Sequence, residues 1–400
     1  RSMYYKFMAP VMAELLNRNV SVSVGHLYAG DRFNSTKGKD FPVLYSVPAF
    51  GGHTVQKYIY RSNLELLNLI QKLKINLVIS LASRSFYGLD VKTMPSVRWV
   101  TLQHWGDNFQ TDREKILDCD VLQIYSREWW KNFVDSDHGK KVFPASLEAH
   151  SQIVITGCPY HDIGKHLDRE KIRLKYGIAP EKRVVLYAPV GMNIPDSRAR
   201  RFWLKAFFYS KRFIRLQNYF AKLSFIPQDW RVSERNIVDA IREFCDRENA
   251  VLIVKGRVKK PISEYINKVA DYVFYDEDFY PSTIIELIKI SDLAITHFSS
   301  MSFELAHQGV YNINVKIGPT WAFMKKSLGK IFGFGFIYDL EIEGLNEICD
   351  SVSFLNKIKT KQLDDFRVKA SKVSEFSAKY FNGPPGDSTR KTVDAILLEM

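Results

Sequence analysis

The chain has 400 residues, enough for two domains of ordinary size, each with its own core. Its four cysteines, Cys119, Cys158, Cys245 and Cys349, are too widely spaced for a metal knuckle or a redox pair, which argues against a disulfide scaffold and for a reducing compartment. A formal charge of +13 suits acidic surroundings such as nucleic acid, anionic lipid or a phosphorylated substrate, while no apolar run is long enough for a membrane span and no secretory signal is visible.

Residues 4–16 carry a helical apolar pattern, and residues 20–26 follow as an extended segment with its core at 20–24. Doubly wound domains open with a strand ahead of such a helix, so a strand upstream of Arg1 is expected. Further extended runs fall at 76–80, 97–102, 121–125 and 152–156, with helical patterns at 56–73 and 112–117 between them. This βα alternation predicts a mostly parallel sheet. Gly157, Pro159 and the polar residues after them mark a crossing between domains. The second half repeats the pattern, with strands at 183–187, 250–254, 272–275, 293–296 and 310–315 and helices at 237–248, 281–290 and 301–308. Two helices, from about 364 to 380 and from 387 to 400, close the sequence. The predicted organisation is a first domain over 1–157, a second over 158–380 and a closing helix over 381–400, of the kind that in two-lobed proteins often crosses back to the first domain. Two α/β lobes whose strand ends face each other make the cleft between them the default ligand site.

The most informative stretch is 291–309, SDLAITHFSSMSFELAHQG. An apolar strand runs into the Ser299–Ser300 corner, and a helix opens behind it with Glu304 on its first turns. Such a corner offers hydroxyls and backbone N–H groups to an anion at the carboxyl end of a strand. As a plain structural element it is a βα connection with a Ser cap.

Several segments together resemble the CDP-glycerol:polyglycerophosphate transferase family, which makes teichoic-acid and related capsular polymers. They are Gln103-His104-Trp105-Gly106, then 155–162 (ITGCPYHD), 171–187 (KIRLKYGIAPEKRVVLY) with Ala188-Pro189 behind it, 291–306, and a terminal helix over 380–396. The resemblance covers roughly residues 100 to 396 and rests on the order and spacing of the pieces. It implies an α/β fold of the GT-B type, two facing Rossmann-like domains with the nucleotide donor held mainly by the second. The chain departs from the family where His104-Trp105-Gly106-Asp107 replaces a His-Gly-Thr-Pro run, and where His297 replaces an acidic residue before the aromatic-Ser-Ser corner. Those departures leave the donor base, transferred group and acceptor open.

His104 follows the strand at 97–102 in a Gly-containing corner. An imidazole titrating near neutral pH suits removal of a proton from an attacking hydroxyl, and the resemblance assigns the catalytic role to the same residue. Asp107 is the backup base or orienting carboxylate. Ser299 and Ser300 are the expected donor-phosphate contacts, with no bound metal required, and GT-B analogy assigns Glu304 to the ribose hydroxyls. His297 is a candidate contact to phosphate or to the leaving group, or the replacement of a structural carboxylate. Lys255 and Arg257, flanking Gly256 after the strand at 250–254, suit charge developing on a departing nucleotide phosphate. Gly191, beyond the strand at 183–187, permits close backbone approach. His161 and Asp162 are expected to serve structure rather than chemistry.

Residues 198–223, RARRFWLKAFFYSKRFIRLQNYFAKL, hold eight Lys or Arg and no acidic residue, interleaved with aromatics. That composition fits an interfacial helix or helix pair on anionic lipid. The same interleaving suits single-stranded nucleic acid, but no nucleic-acid module surrounds it. The reading is therefore a transferase that moves a sugar or polyol-phosphate group from a CDP-, CMP- or UDP-linked donor to a lipid-linked or polymeric glycan acceptor. It would need no tightly bound cofactor, work in the cytoplasm on the inner face of the membrane, and be compatible with an oligomer. A nucleotide-sugar 2-epimerase and a non-catalytic glycan- or membrane-binding scaffold are the alternatives.

Overall fold

A computed structural model describes residues 5–27, 55–89, 92–103, 118–134, 152–189, 232, 234–256, 262–275, 282–297, 299–316 and 341–398. All of its sheets are parallel. In the first half, β1 (Ser23–Leu27) pairs with β2 (Gln56–Tyr60), and a separate four-stranded sheet has the order β3 (Leu77–Ser80), β4 (Arg98–Leu102), β5 (Val121–Ile124), β6 (Gln152–Ile155). In the second half, six strands lie in the order β12-β11-β10-β7-β8-β9. They are β7 (Arg183–Ala188), β8 (Ala250–Lys255), β9 (Tyr272–Phe274), β10 (Leu293–Thr296), β11 (Tyr311–Lys316) and β12 (Asn346–Asp350).

Sequence explains the placement. Val184–Tyr187, Leu252–Val254 and Leu293–Ile295 are apolar on both faces of their strands, as central strands of a parallel sheet with helices on either side require. α6 (Glu234–Arg247) buries Ile237, Val238, Ile241, Phe244 and Cys245, one stripe at helical spacing, against that sheet. The remaining helices are α1 (Tyr5–Asn17), α2 (Asn63–Lys72), α3 (Arg127–Val134), α4 (Pro159–His166), α5 (Arg169–Lys175), α7 (Glu264–Val269), α8 (Thr283–Ile290), α9 (Met301–Gln308), α10 (Ser351–Thr360), α11 (Ala370–Phe381) and α12 (Ser388–Leu398).

α12 returns to the first half of the chain. Its Val393 and Ile396 pack with Val11 and Leu15 of α1 and with Val100, Leu102 and Val121 of the four-stranded sheet. Thr392 bonds to Thr156 at 2.7 Å, and the Arg18 guanidinium donates to Asp394 at 2.6 Å. The helix is capped from a distance. The Asp162 carboxylate of α4 accepts from the Gly386 and Thr389 backbone N–H groups at 2.6 and 2.5 Å. Gly157, at φ +88°, lies where a Cβ would come within 2.7 Å of the Phe381 carbonyl, so only glycine lets the crossing pass under the end of α11.

Three expected elements differ. The segment 56–73 is not one helix: residues 56–60 pair with β1 as a strand, and Ser62 then caps α2 by accepting from the Glu65 N–H at 3.2 Å. The Ser-x-x-Glu signature marks a helix start there, and the Glu65 carboxylate reciprocates by accepting from Arg61 N–H. The first strand is shifted to 23–27 because Asn19, at φ 60°, ends α1 and the chain needs several residues to reach β2. The expected helix over 364–380 divides into a short 3₁₀ turn at Leu363–Phe366 and α11 from Ala370. The helical pattern at 112–117 lies outside the described residues.

Candidate functional site

The strand ends of the six-stranded sheet build one edge, on which β8, β7, β10 and β11 lie side by side. β10 is wholly buried and delivers the chain to His297, Ser299 and Ser300, where α9 begins. Below this corner runs a buried polar ladder. Thr296 Oγ1 donates to Asn312 Oδ1 at 3.1 Å, and Asn312 Nδ2 donates to Ser302 Oγ at 3.1 Å and to Asn346 Oδ1 at 2.6 Å. The ladder fixes β10, β11, β12 and the first turn of α9 against one another, so the corner is set rigidly.

The two serines do different work. Ser299 is buried, and its Oγ accepts from the Met301 N–H at 3.2 Å while its carbonyl accepts from the Ser302 hydroxyl. Ser300 is half-buried at the N-cap of α9 and makes no side-chain cap bond. The corner also holds fewer open backbone donors than its sequence suggests. The Met301, Ser302 and Phe303 N–H groups all find oxygens of Ser299 or Ser300. The Ser300 hydroxyl and the positive end of α9 stay outside these bonds.

His297 is fitted into the fold. Its Nδ1 donates to the Val315 carbonyl at 3.0 Å, so Nε2 is left as acceptor of the Tyr187 hydroxyl at 2.9 Å. Burial pushes its pKa down to about 4, so the ring is neutral at physiological pH and brings no positive charge to a phosphate. Both ring nitrogens are engaged by protein, an arrangement that suits the second of the two roles read for this residue, the replacement of a structural carboxylate. Lys255, at the end of β8, is buried and donates to the Gly256 carbonyl at 3.0 Å and the Tyr275 carbonyl at 3.4 Å, which keeps its ammonium bedded at the sheet edge. Glu304 is buried on α9, near enough to Cys158 that its charge, behind desolvation, helps hold that thiol's pKa up.

Two residues at this edge carry no motif that singles them out in the sequence. Tyr187 ends the apolar part of β7 and carries the hydroxyl that engages His297. Glu234 opens α6, is buried, and has its pKa pushed up to about 7 by desolvation, while Tyr187 is raised first by its own burial and then by the Glu234 charge. The one signal for Tyr187 is a polar tip on an otherwise apolar strand. Glu234 gives none.

α9 also joins the two halves. Phe303 packs on Trp129 of α3 with ring centroids 5.3 Å apart, and Trp129 in turn meets Tyr125 at 6.3 Å. Just past β4, Gln103 N–H bonds to the Gln123 carbonyl at 3.0 Å, and Gln103 Oε1 accepts from Tyr125 N–H at 2.8 Å. The carboxyl edge of the four-stranded sheet therefore reaches the corner after β10 through two aromatic contacts. His161 and His307 stack behind it, 5.0 Å apart, with His307 Nδ1 bonded to the Ser377 hydroxyl. His161 meets Phe381 of α11 at 4.8 Å and Asp162 accepts from Gly386 and Thr389, so both join α4 to the closing helices. Among the described residues no group of His, Cys, Asp and Glu is arranged to hold a metal ion, and no helix is long and apolar enough to cross a membrane. His104, Asp107, Gly191, Arg257 and the basic segment 198–223 lie outside the described residues.

A family model for CDP-glycerol:poly(glycerophosphate) glycerophosphotransferase matches residues 100–308, more than half of the chain. No curated protein sequence matches it. Among solved structures, the wall teichoic acid polymerase TagF superposes with a TM-score of 0.50 at 14% identity, covering 87% of this chain and 78% of that one. A UDP-GlcNAc 2-epimerase from Neisseria meningitidis, bound to UDP-GlcNAc, superposes with a TM-score of 0.56 at 10% identity, covering 99% and 97%. At these identities both likenesses speak for the fold, the GT-B arrangement of two Rossmann-like α/β domains.

Proposed function

This chain belongs to the CDP-glycerol:poly(glycerophosphate) glycerophosphotransferase family, and from that premise we propose that it transfers glycerol phosphate from CDP-glycerol to a hydroxyl of a teichoic-acid-like polymer. The acceptor oxygen attacks the donor β-phosphorus, the bond from that phosphorus to the bridging oxygen breaks, and CMP leaves carrying the bridging oxygen. The acceptor proton passes to His104, with Asp107 orienting the ring or taking its place. The nucleotide lies at the corner after β10, with Ser300 and the N-terminus of α9 towards its phosphates and Glu304 towards the ribose. Lys255 and Arg257 offset the charge on departing CMP, and Gly191 lines the same cleft.

The observation that carries this reading is the family match running across both halves, from the strand before His104 to the end of α9. The corner's geometry agrees with it, because Ser299 holds the turn while Ser300 keeps a hydroxyl outside the capping pattern. The basic aromatic segment 198–223 would hold the enzyme on the anionic inner face of the membrane, where a lipid-linked polymer begins. The test is acceptor-dependent release of CMP by purified protein, with CDP-ribitol, CMP-sugars and UDP-sugars as competing donors. Release from CDP-glycerol alone, abolished in His104→Ala and reduced in Ser300→Ala, supports the assignment. A donor other than CDP-glycerol, or release that ignores the acceptor, refutes it.

A further inference from the structure

Gln103 directly precedes His104 in sequence and stands at the carboxyl end of β4, with only 2% of its surface exposed. Its side-chain orientation is fixed by chemistry. The Tyr125 N–H is a donor and must meet the amide oxygen, which it does at 2.8 Å, so the amide nitrogen is turned away from Tyr125. That Nε2 carries two hydrogens and meets no acceptor among the described residues. Its neighbour Gln123 is the contrast. Gln123 Nε2 donates to the Ile124 carbonyl, the Thr156 hydroxyl and the Gly157 carbonyl at 3.2, 2.8 and 2.7 Å. Two buried glutamines thus sit on adjacent strand ends, one with its amide fully engaged and one with its donors open. Native folds rarely leave such a group without a partner, and a functional role is one of the few reasons they do.

The location narrows what that something is. Gln103 hangs on the first sheet, while the corner read as the donor site hangs on the second. The two are joined through Tyr125, Trp129 and Phe303. We propose that Gln103 is an acceptor-binding residue, its Nε2 donating to the attacking hydroxyl and to a neighbouring phosphate oxygen of a polyol-phosphate chain. This rests on the transfer reading and deepens it. An uncharged NH₂ is well matched to such a role, because it occupies a lone pair of the hydroxyl, turns the O–H bond away from itself, and takes no proton. The hydroxyl's proton is then left directed at a base.

The deciding variant is Gln103→Glu, which keeps an oxygen for the Tyr125 N–H and replaces only the two donors. Acceptor and donor kinetics are measured with a glycerol-phosphate oligomer and CDP-glycerol, and oligomer binding is measured separately by calorimetry. The acceptor kcat/KM and the oligomer affinity should each fall about tenfold or more, with the donor KM within about twofold of wild type. Unchanged acceptor parameters in folded Gln103→Glu overturn the proposal. So does a donor KM that rises as much as the acceptor KM, which would put the amide on the donor phosphate. Should the buried carboxylate unfold the protein, neutral Gln103→Met takes its place in the same assays. A wild type that releases no CMP refutes the transfer reading by itself, and calorimetry still decides Gln103. A tenfold loss of oligomer binding in the variant upholds it, and equal binding, or none by the wild type, overturns it.

Discussion

Removing the Asp162 carboxylate should free α12 from the rest of the molecule. In Asp162→Ala the Gly386 and Thr389 N–H groups, now held at 2.6 and 2.5 Å, lose their acceptor at a part-buried site. Desolvation pushes the Asp162 pKa up despite these bonds, so burying the carboxylate offsets part of what they contribute. The cost of the variant is therefore best counted from the orphaned donors, about 1–3 kcal/mol each, or about 2–4 kcal/mol together, since water reaches part of the vacated site. At about 1.4 kcal/mol per factor of ten, local opening of 386–398 should become about 30- to 700-fold more frequent. Hydrogen exchange read by mass spectrometry on peptides covering α12 measures this directly, with peptides from β7 and β8 as internal reference. Exchange of α12 within threefold of wild type, in a variant that is otherwise folded, would refute the capping argument.

Acid should unfasten the protein through its buried imidazoles. His297 and His307 have pKa values lowered by burial to about 4 and about 3, below the unfolded value near 6.5. The unfolded chain therefore binds more protons as pH falls from 6.5, so their contribution is present above pH 6.5 and is lost on acidification, by about 2 kcal/mol each at pH 5. Glu234, pushed up to about 7, acts in the opposite sense, so the informative measurement is the difference between wild type and His297→Gln or His307→Gln in urea midpoints at pH 7 and 5. A variant with the wild-type pH slope would contradict this account. Arg84, buried between Asp118 and Asp120 at 3.1 and 2.6 Å, should cost about 3–5 kcal/mol when replaced by Ala, because two carboxylates lose their partner. A loss below about 1 kcal/mol by chemical denaturation would show the pair to be solvated. The serine corner should divide cleanly: Ser299→Ala lowers stability by about 1 kcal/mol, whereas Ser300→Ala leaves stability within about 0.5 kcal/mol and weakens donor binding. Calorimetry with CDP-glycerol and a melting curve on both variants decide it, and equal behaviour of the two would count against the division.

How far the sequence can be read depends on whether the relevant physics is local. β10 and α9 have the expected bounds because a run of apolar residues, a serine corner and Gly309 in the left-handed region are all local signals. The segment 56–73 misleads for a related reason: Tyr58, Ile59 and Tyr60 continue the apolar period of α2, and only pairing with residues 23–27 makes them a strand. His297 looks like a phosphate contact because its partners, Tyr187 and the Val315 carbonyl, are distant in sequence. Gln103 is visible only as part of the segment before His104. Its significance depends on Tyr125 fixing one end of its amide, which no pattern in the sequence announces.

The return of α12 to the first sheet also has a temporal side. Asp394, which the Arg18 guanidinium holds at 2.6 Å, is synthesised 376 residues after it. At roughly 5–20 residues per second that is a wait of about 20–75 s. From the completion of β6 at Ile155 until α12 is made, Val11, Leu15, Val100 and Leu102 lack Val393 and Ile396, although every strand of the four-stranded sheet is present. The second half, whose six strands are covered by helices of its own half, can close while the first is still open. The half that is made earlier is thus the half that finishes later, and that open stage is the natural one for a chaperone to attend.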